Sequence, residues 1–260
     1  KTVKKLSKII KKLKPDLLIT HGDRVETLSC AISSSLNHIL TAHVEGGELS
    51  GTIDDTIRHA VTKLAHTHFV SNENAKKRVI EMGEKRNLVF NIGSADIDSI
   101  KNDKLPSINK ARRRYSIKFK KYVILLWHPV TSEKKSLQRD TIKLVNFLDE
   151  NNYKAIVIKP NNDPGTKKIL KVYSLLNKKK FKIFPSLRFE YFISLLKNAK
   201  FVIGNSSCAI HEAPYLKVPA INIGTRQNKR FSSKVILNLN INSLDKKKIV
   251  KFLNNYKPLK

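Results

Sequence analysis

The stretch PDLLITHGDRVETLSCAISSSLNHILTAHVEGGE, residues 15–48, decides the fold of the first part of the chain. The apolar run 17–20 predicts a buried strand, residues 26–37 have the apolar spacing of a helix, and residues 39–44 predict a second strand. Strands that alternate with helices form parallel sheets covered by helices. This stretch therefore predicts the beginning of an α/β unit.

The same alternation continues through the rest of the chain. Further strands are predicted at 68–70, 88–92, 122–127, 155–158, 181–184, 201–203, 220–223 and 235–239. Further helices are predicted at 54–64, 74–82, 133–150, 167–176, 189–197, 209–216 and from 244 onward. A polar stretch at 98–114 predicts a linker that runs into a new helix. We therefore expect two α/β domains, residues 1–106 and 107–260, with ligands beyond the carboxyl ends of the strands. The opening, 1–16, resembles the middle of an amphipathic helix, so we expect the chain to start inside a domain.

The net charge of +30 in 260 residues is the one unusual feature of the composition. Such an excess is found in proteins that bind nucleic acid. Here, however, the lysines are scattered over every predicted helix and loop, and no aromatic residues alternate with them to stack on bases. We therefore expect no specific nucleic-acid partner, and we interpret the charge as a solvated lysine coat that also attracts an anionic substrate.

Other features of the composition exclude several classes of protein. No apolar run approaches the roughly 20 residues that cross a bilayer, so we expect no membrane association. The two cysteines, Cys30 and Cys208, fit no disulfide or metal framework, which favours the reducing cytoplasm. His66 and His68 have the spacing of two zinc ligands but no third ligand in register, so we expect structural roles for both and no metal site.

Acidic residues follow the first two predicted strands. Asp23 lies in the sequence HGDR after the first strand, and Glu45 follows the second; Asp54 comes at the start of the next helix. Carboxylates crowded in a partly dry site have raised pKa values and are suited to proton transfer. The alternative is that Asp23 and Asp54 are helix N-caps, a common position for aspartate.

A second group of polar residues follows the strands of the second half. The sequence GNSSC, residues 204–208, comes after a strand and is predicted to open a helix, whose N-terminus would bind an anion. Glu212 is placed to accept hydrogen bonds from a ribose diol, and Arg226 adds a cation for a phosphate. The combination predicts a nucleoside diphosphate site, although a serine turn before a helix is usually only a cap. The chain contains no P-loop motif.

Six motifs of the chain resemble, in order and spacing, those of the UDP-N-acetylglucosamine 2-epimerase family. They are HGDR, HVEGGELSGTIDDTIRHAVTKLAH, WHPVT, KPNNDPG, GNSSCAIHEAP and NIGTRQ, and the resemblance extends over about residues 15 to 230. The closest resemblance is to the hydrolysing branch, the enzymes of sialic-acid pathways. The resemblance implies two Rossmann-like domains that face each other across a cleft, as in glycosyltransferase-B enzymes. It also implies that the first domain is incomplete here, with its first strand and a phosphate loop upstream of Lys1.

The resemblance also implies roles for individual residues. Asp23, Glu45 and Asp54 match the catalytic acids of the family, and His128 matches a histidine near the diphosphate. The residues that match active-site or nucleotide-binding positions are Arg24, Arg58, Asn161, Ser206, Ser207, Glu212 and Arg226. The implied reaction converts UDP-N-acetylglucosamine, or a related N-acetylated sugar nucleotide, to the free 2-epimer and a nucleoside diphosphate through a glycal. It needs no cofactor.

Two alternatives to a hydrolysing epimerase remain open at this point. A glycosyltransferase of the same architecture would keep the nucleotide site but would not need the acid cluster. A protein without activity, either a nucleic-acid binder or a degenerate sugar-nucleotide-binding fragment, is the other. For the epimerase we expect a nucleotide-sugar substrate and a homo-oligomer, a dimer or a tetramer.

Overall fold

The structure, a computed structural model, describes residues 1–51, 53–102, 104–130, 136–227 and 234–257. The chain divides into two compact units, Lys1–Asp98 and Ser99–Lys260. The stretch predicted as a linker is not one at its start, because a helix, Ala95–Asn102, runs across the dividing point. The sequence pattern did not predict this helix because the segment contains few apolar residues. One of them, Ile100, is buried in the structure.

The first unit is a parallel sheet with helices between its strands. Its elements are α1 (Thr2–Leu13), β1 (Leu17–His21), α2 (Val25–Ser35), β2 (Leu40–Val44), α3 (Ile53–Leu64), β3 (Thr67–Val70), α4 (Glu73–Glu81), β4 (Val89–Asn91) and the first half of α5 (Ala95–Asn102). The strands pair in parallel in the order β1-β2-β3-β4. This confirms the predicted α/β class and the four predicted strands.

The prediction that residues 17–20 form a buried strand is wrong in one respect. β1 lies at the edge of the sheet, and its side chains alternate between two environments. Leu17 and Ile19 are exposed, Ile19 by 65%, whereas Thr20 is buried and its hydroxyl donates to the carbonyl oxygen of Ala42 at 3.1 Å. An apolar run identifies a strand but not its position in the sheet, so the sequence could not show that one face of β1 is exposed.

The second unit is a larger parallel sheet. Its helices and strands are α6 (Ile108–Arg114), β5 (Val123–Leu126), α7 (Leu137–Glu150), β6 (Ala155–Ile158), α8 (Thr166–Tyr173), β7 (Phe181–Phe184), α9 (Phe189–Lys197), β8 (Val202–Gly204), α10 (Glu212–Tyr215), β9 (Ala220–Ile223), β10 (Ile236–Leu239) and α11 (Lys246–Asn254). All six strands match predicted ones. The predicted start of α7, at residue 133, lies outside the described residues.

The strand order of the second unit is that of a Rossmann-like sheet. It runs β7-β6-β5-β8-β9-β10, so that β5, the first strand of the unit, lies in the middle beside β8. The chain turns back between these two strands, and this point is where such sheets bind ligands, beyond the carboxyl ends of the strands. The loops after β5 and β8 therefore meet at the switch point of the sheet.

Both faces of this sheet are covered by side chains. In β5, Val123 and Leu125 belong to one buried apolar cluster, and Ile124 and Leu126 belong to the other. All four side chains are nearly inaccessible to water, as expected for a strand that is apolar at every position. The core of the second unit thus consists of two layers that fix the central strands and the loops after them. None of the described helices is long and apolar enough to cross a bilayer.

The predicted helix 209–216 is not continuous. A short 3-10 turn, Ser207–Ala209, is followed by the four-residue helix α10. Pro214 explains part of this break, because it has no N–H group to donate to the carbonyl oxygen four residues earlier. The sequence GNSSC therefore opens a 3-10 turn and not an α-helix.

Candidate active site

Two carboxylates lie beyond the carboxyl ends of β1 and β2 in the first unit. Glu45 directly follows β2, and its Oε2 is 3.1 Å from Nε2 of His21, the last residue of β1. The hydrogen bond to Glu45 raises the pKa of His21, although the partial burial of the ring acts in the opposite direction. The negative charges of Asp96 and Asp23 also raise the pKa of His21. The charges of three carboxylates therefore act on the imidazole of His21, and Glu45 is hydrogen-bonded to it.

Asp23 is ion-paired with the guanidinium of Arg58. Arg58 lies on α3 and is only 3% exposed, and its Nη1 also donates to the carbonyl oxygen of Glu48 at 2.9 Å and to Oδ1 of Asp55 at 3.2 Å. Arginine stays protonated at all relevant pH values, so Asp23 faces a permanent positive charge. The two carboxylates beyond β1 and β2 thus have different partners, a guanidinium and an imidazole.

Asp55 fixes the loop before α3. Its carboxylate accepts hydrogen bonds from the N–H of Ser50 at 2.7 Å, the hydroxyl of Ser50 at 2.7 Å and the N–H of Gly51 at 2.8 Å. Partial burial alone would raise the pKa of Asp55, but these hydrogen bonds and the charge of Arg58 outweigh it, and the pKa is lowered. Asp54, the predicted catalytic acid, is the neighbouring residue in the first turn of α3.

The alternative that Asp23 and Asp54 are helix N-caps is wrong. Arg24, and not Asp23, is the N-cap residue of α2, and the side chain of Arg24 makes no capping hydrogen bond. Helix α3 begins at Ile53, so Asp54 lies inside it. Arg24 itself is exposed, and its Nε is 3.8 Å from a carboxylate oxygen of Glu26.

The loop after β2 has an unusual backbone. Glu45 has a φ of 65°, in the left-handed region that residues other than glycine rarely adopt. Two residues later, Gly47 has a φ of 78°, and a Cβ there would lie 2.4 Å from the carbonyl oxygen of Ala75. Arg78 donates to the carbonyl oxygen of Gly47, and Ser71 donates to Glu48. Backbone in this region costs energy and persists where surrounding contacts fix it, which is common at functional sites.

His43 supports the loop that contains Asp23. The ring is fully buried, with Nε2 3.0 Å from the carbonyl oxygen of Gly22 and Nδ1 3.1 Å from the hydroxyl of Thr62. Burial lowers the pKa of His43 to about 4. Since a carbonyl oxygen only accepts, the neutral ring carries its proton on Nε2, and Nδ1 accepts from Thr62. His43 is thus a neutral histidine with a structural role, since its ring bonds to the backbone of the residue before Asp23.

In the second unit, His128 lies in the loop after β5 and is buried. Its Nδ1 is 3.4 Å from the backbone nitrogen of Asn161, which donates to it. This hydrogen bond favours the tautomer with the proton on Nε2. The side chain of Asn161 is exposed, and the backbone carbonyl oxygen of Asn161 accepts a hydrogen bond from the hydroxyl of Thr166.

Arg226 and Asn205 contact each other at the switch point. The carbonyl oxygen of Asn205 accepts hydrogen bonds from Nη1 of Arg226 at 3.3 Å and from the side-chain amide of Gln227 at 2.9 Å. The side chain of Asn205 in turn bonds to the backbone of His128. The structure therefore brings two predicted site residues, His128 and Arg226, to the same buried asparagine.

The predicted helix N-terminus for anion binding is wrong, because GNSSC opens a 3-10 turn and α10 is too short to have a useful dipole. Ser206 is the N-cap of that turn, and its hydroxyl is 3.4 Å from the N–H of Cys208. Ser207, the first residue of the turn, and Glu212, the first residue of α10, are both half-buried. The charge of Glu212 contributes to the raised pKa of Cys208, for which burial is the main cause, so this thiol is unreactive.

The two histidines with zinc-like spacing have other partners. Nδ1 of His66 accepts from the N–H of Thr41 at 3.2 Å, and Nε2 of the buried His68 is 3.2 Å from a carboxylate oxygen of Glu84. Within the ranges described, no group of three or more metal-ligating side chains occurs.

Four residues of these sites were not predicted from the sequence: His21, Asp55, Asn205 and Gln227. His21 directly follows the predicted strand 17–20, and Asn205 directly follows β8, so the rule that site residues come after strands could have selected them. Asp55 and Gln227 are recognisable only from the hydrogen bonds that they make.

Comparison with known proteins gives the family. The family model described as UDP-N-acetylglucosamine 2-epimerase matches residues 1–257. A UDP-N-acetylglucosamine 2-epimerase of Neisseria meningitidis serogroup B is 43% identical over 236 residues, which are 91% of this chain and 63% of that protein. A GDP/UDP-N,N'-diacetylbacillosamine 2-epimerase (hydrolyzing) of Campylobacter jejuni is 41% identical over 90% of this chain and 62% of that protein. The chain thus spans less than two thirds of the length of these relatives.

Solved structures show the same fold. The UDP-GlcNAc 2-epimerase of Neisseria meningitidis bound to UDP-GlcNAc superposes with a TM-score of 0.77 at 15% identity, covering 100% of this chain and 75% of that one. The Methanocaldococcus jannaschii enzyme in complex with UDP-GlcNAc and UDP gives a TM-score of 0.76 at 23% identity, covering 100% of this chain and 74% of that one. These likenesses show the fold, and the family model, which covers nearly the whole chain, shows that the chain belongs to the UDP-N-acetylglucosamine 2-epimerase family.

Proposed function

We propose that this chain forms the catalytic part of a hydrolysing 2-epimerase that acts on UDP-N-acetylglucosamine or a related N-acetylated sugar nucleotide. The observation that carries the proposal is the pair of carboxylates, Asp23 and Glu45, at the ends of the adjacent strands β1 and β2. Relatives named for UDP-N-acetylglucosamine and for N,N'-diacetylbacillosamine support the substrate class.

The proposed reaction consists of an elimination and an addition. A carboxylate removes the proton on C2 of the sugar while the C1–oxygen bond to the diphosphate breaks, which leaves a C1–C2 double bond, the glycal. Water then adds its oxygen to C1, and a proton is added to C2 from the opposite face. The products are the free 2-epimer, of the N-acetylmannosamine type, and the nucleoside diphosphate. No electrons are gained or lost overall, so the scheme uses no redox cofactor.

The different partners of the two carboxylates support different roles. Asp23, which is ion-paired with Arg58, is proposed as the carboxylate that accepts the proton. Glu45 and His21 share a hydrogen bond and can hold one proton between them, so they are suited to deliver it. Asp54, in the first turn of α3, is assigned to the water or to the second proton. Arg24 and Arg58 are assigned to the same active site.

The second unit is proposed to bind the nucleotide. His128, with its proton on Nε2, and Arg226 would stabilise the negative charge that develops on the departing diphosphate. Ser206, Ser207, Glu212 and Asn161 are proposed as further nucleotide contacts. We also propose a cytoplasmic homo-oligomer, a dimer or a tetramer, whose mass light scattering after size exclusion would measure.

Product analysis tests the proposed function. The full-length protein, as its gene encodes it, is incubated with UDP-N-acetylglucosamine without any acceptor, and UDP and sugars are separated by chromatography. A hydrolysing epimerase releases UDP and free 2-epimer in equal amounts. A glycosyltransferase would release UDP only when an acceptor is present, and a binding protein would release none. Either of those two results would contradict the proposal.

A further inference from the structure

Asn205 is joined to the backbone of His128 by two reciprocal hydrogen bonds. Its Oδ1 accepts from the N–H of His128 at 2.8 Å, and its Nδ2 donates to the carbonyl oxygen of His128 at 2.9 Å. The side chain is 1% exposed. Water therefore does not compete for these bonds, and neither bond can be replaced by solvent if it is lost.

The two bonds continue the sheet where its backbone pairing ends. β5 and β8 approach so closely that a Cβ on Gly204 would lie 1.9 Å from the carbonyl oxygen of Leu126, and Gly204 has a φ of 139°. The N–H of Asn205 still donates to the same oxygen at 3.0 Å. Beyond this point the side-chain amide of Asn205 takes the place of a peptide group, with one donor and one acceptor directed at His128.

The backbone of Asn205 makes a third connection, to the loop after β9. Its carbonyl oxygen accepts from Arg226 and from Gln227, whose side chain is 3% exposed. A single residue therefore connects the loops that follow β5, β8 and β9. These loops lie at the switch point, where sheets of this order bind their ligands.

We propose that Asn205 is the positioning residue of the diphosphate site, holding His128 and Arg226 in the arrangement that a nucleoside diphosphate requires. The proposal rests on the proposed function, which assigns those two side chains to the diphosphate. Asn205 acts through them and makes no contact with the substrate in this account. An asparagine is needed because the position requires a neutral donor and a neutral acceptor of the same size as a peptide group.

The variant Asn205→Asp tests this requirement, since it keeps the size and removes the donor. When the introduced carboxyl is ionised, it faces the carbonyl oxygen of His128 without a proton between them. We expect the dissociation constant for UDP, measured by titration calorimetry on the 260-residue chain, to rise about tenfold or more at pH 8. Equal affinity of the variant and the wild type would overturn the proposal.

Asn222→Asp is the matched control. Asn222 lies on the neighbouring strand β9 and is also 1% exposed, and its amide donates to the side chain of Asn238 and not to the diphosphate loops. The change introduces the same charge at the same depth in the same sheet. UDP affinity should stay within about threefold of wild type. A loss as large as that of Asn205→Asp would show a general effect of buried charge and would overturn the specific role of Asn205.

The pH dependence distinguishes positioning from a loss of folding. A protonated carboxyl again offers one donor and one acceptor, so the ratio of variant to wild-type dissociation constants should fall towards one as the pH is lowered. His128 and Arg226 are the ionisable groups among the described residues that hydrogen-bond to Asn205, and the wild type measured at each pH corrects for them. A ratio that does not change with pH would count against the proposal.

A measurement without any ligand covers the case in which the variant does not fold or UDP does not bind. In the wild-type chain, long-range ¹H–¹⁵N spectra should show His128 as a single neutral tautomer with its proton on Nε2, and hydrogen exchange should show its backbone N–H as protected. Exchange of that N–H at the rate of an open loop would overturn the proposal about Asn205. Absence of UDP binding with a protected N–H would instead contradict the proposed function alone.

Discussion

Asp23 and Arg58, 35 residues apart in the sequence, form an ion pair in which the guanidinium is 3% exposed and the carboxylate 22% exposed. The same guanidinium contacts the carbonyl oxygen of Glu48 and the carboxylate of Asp55. Arg58 thus joins the loop after β1 to the loop before α3. A lysine in its place could not reach all three acceptors, because it lacks the planar fork of the guanidinium.

Arg58→Lys should therefore destabilise the first unit. Lysine keeps the positive charge but leaves at least one of these three acceptors without a hydrogen bond, and the expected loss is about 1–3 kcal/mol. The only tryptophan, Trp127, lies in the second unit, so its fluorescence follows that unit while circular dichroism follows both. We expect an earlier urea transition by circular dichroism and an unchanged fluorescence transition. The exposed Arg24→Lys is the control, and equal transitions for both variants would contradict the structural role of Arg58.

Asp23→Asn and Glu45→Gln should each reduce turnover of the full-length protein by about 10²–10⁴-fold, because each removes a group that we propose to transfer a proton. Affinity for UDP should stay within a few-fold, since the nucleotide is assigned to the second unit. The control is Glu26→Gln, which removes the charge of an exposed carboxylate close to Asp23 in sequence. Near-normal turnover in either variant would remove that residue from the mechanism.

The buried His43 makes the stability of the first unit depend on pH. Its pKa is about 4 in the folded state and ordinarily 6.5, so the unfolded state binds the proton more strongly. This difference in pKa contributes about 3 kcal/mol to the free energy of unfolding. The contribution is fully present above pH 6.5 and is lost as the pH falls to about 4. Circular dichroism at a series of pH values should show a weaker acid destabilisation for His43→Gln than for the wild type. Parallel pH curves for the two proteins would contradict a neutral buried His43.

The strong positive charge should not confer specific binding of nucleic acid. We expect duplex DNA to bind weakly at physiological salt, with an affinity that falls steeply as salt is added. Fluorescence anisotropy with several duplexes would measure both properties. Sequence-selective binding tighter than about 10⁻⁸ M would place the protein in another functional class.

Local sequence patterns predicted the elements well and their environments less well. Residues 122–127 were predicted as a strand of a parallel sheet covered by helices, and the structure shows β5, which is apolar at every position, buried on both faces. The equally apolar run 17–20 was predicted as a buried strand, but β1 is an edge strand and Ile19 is exposed. Position within a sheet depends on long-range pairing, which a single stretch of sequence does not encode.

The candidate site shows the same limit. Asp23 and Glu45 were predicted because they follow strands, and His128 was implied by the resemblance to a family; the structure places each of them just beyond the end of a strand. The partner of Asp23 is Arg58, 35 residues away in sequence. Glu45 pairs with His21, 24 residues away, and His128 pairs with Asn205, 77 residues away. Of these three partners, the resemblance to a family suggested Arg58 for the active site, and only the folded chain shows that it binds Asp23.

The central claim is that the carboxylates beyond β1 and β2 exchange the proton on C2 of the sugar. The most direct measurement is proton NMR and mass spectrometry of the products formed by the full-length protein from UDP-N-acetylglucosamine in deuterated water. We predict a free sugar of inverted configuration at C2 that carries one deuterium at that carbon, because the departing proton is replaced by one from solvent. A product that keeps its original hydrogen on C2, or one whose configuration at C2 is unchanged, would contradict the account.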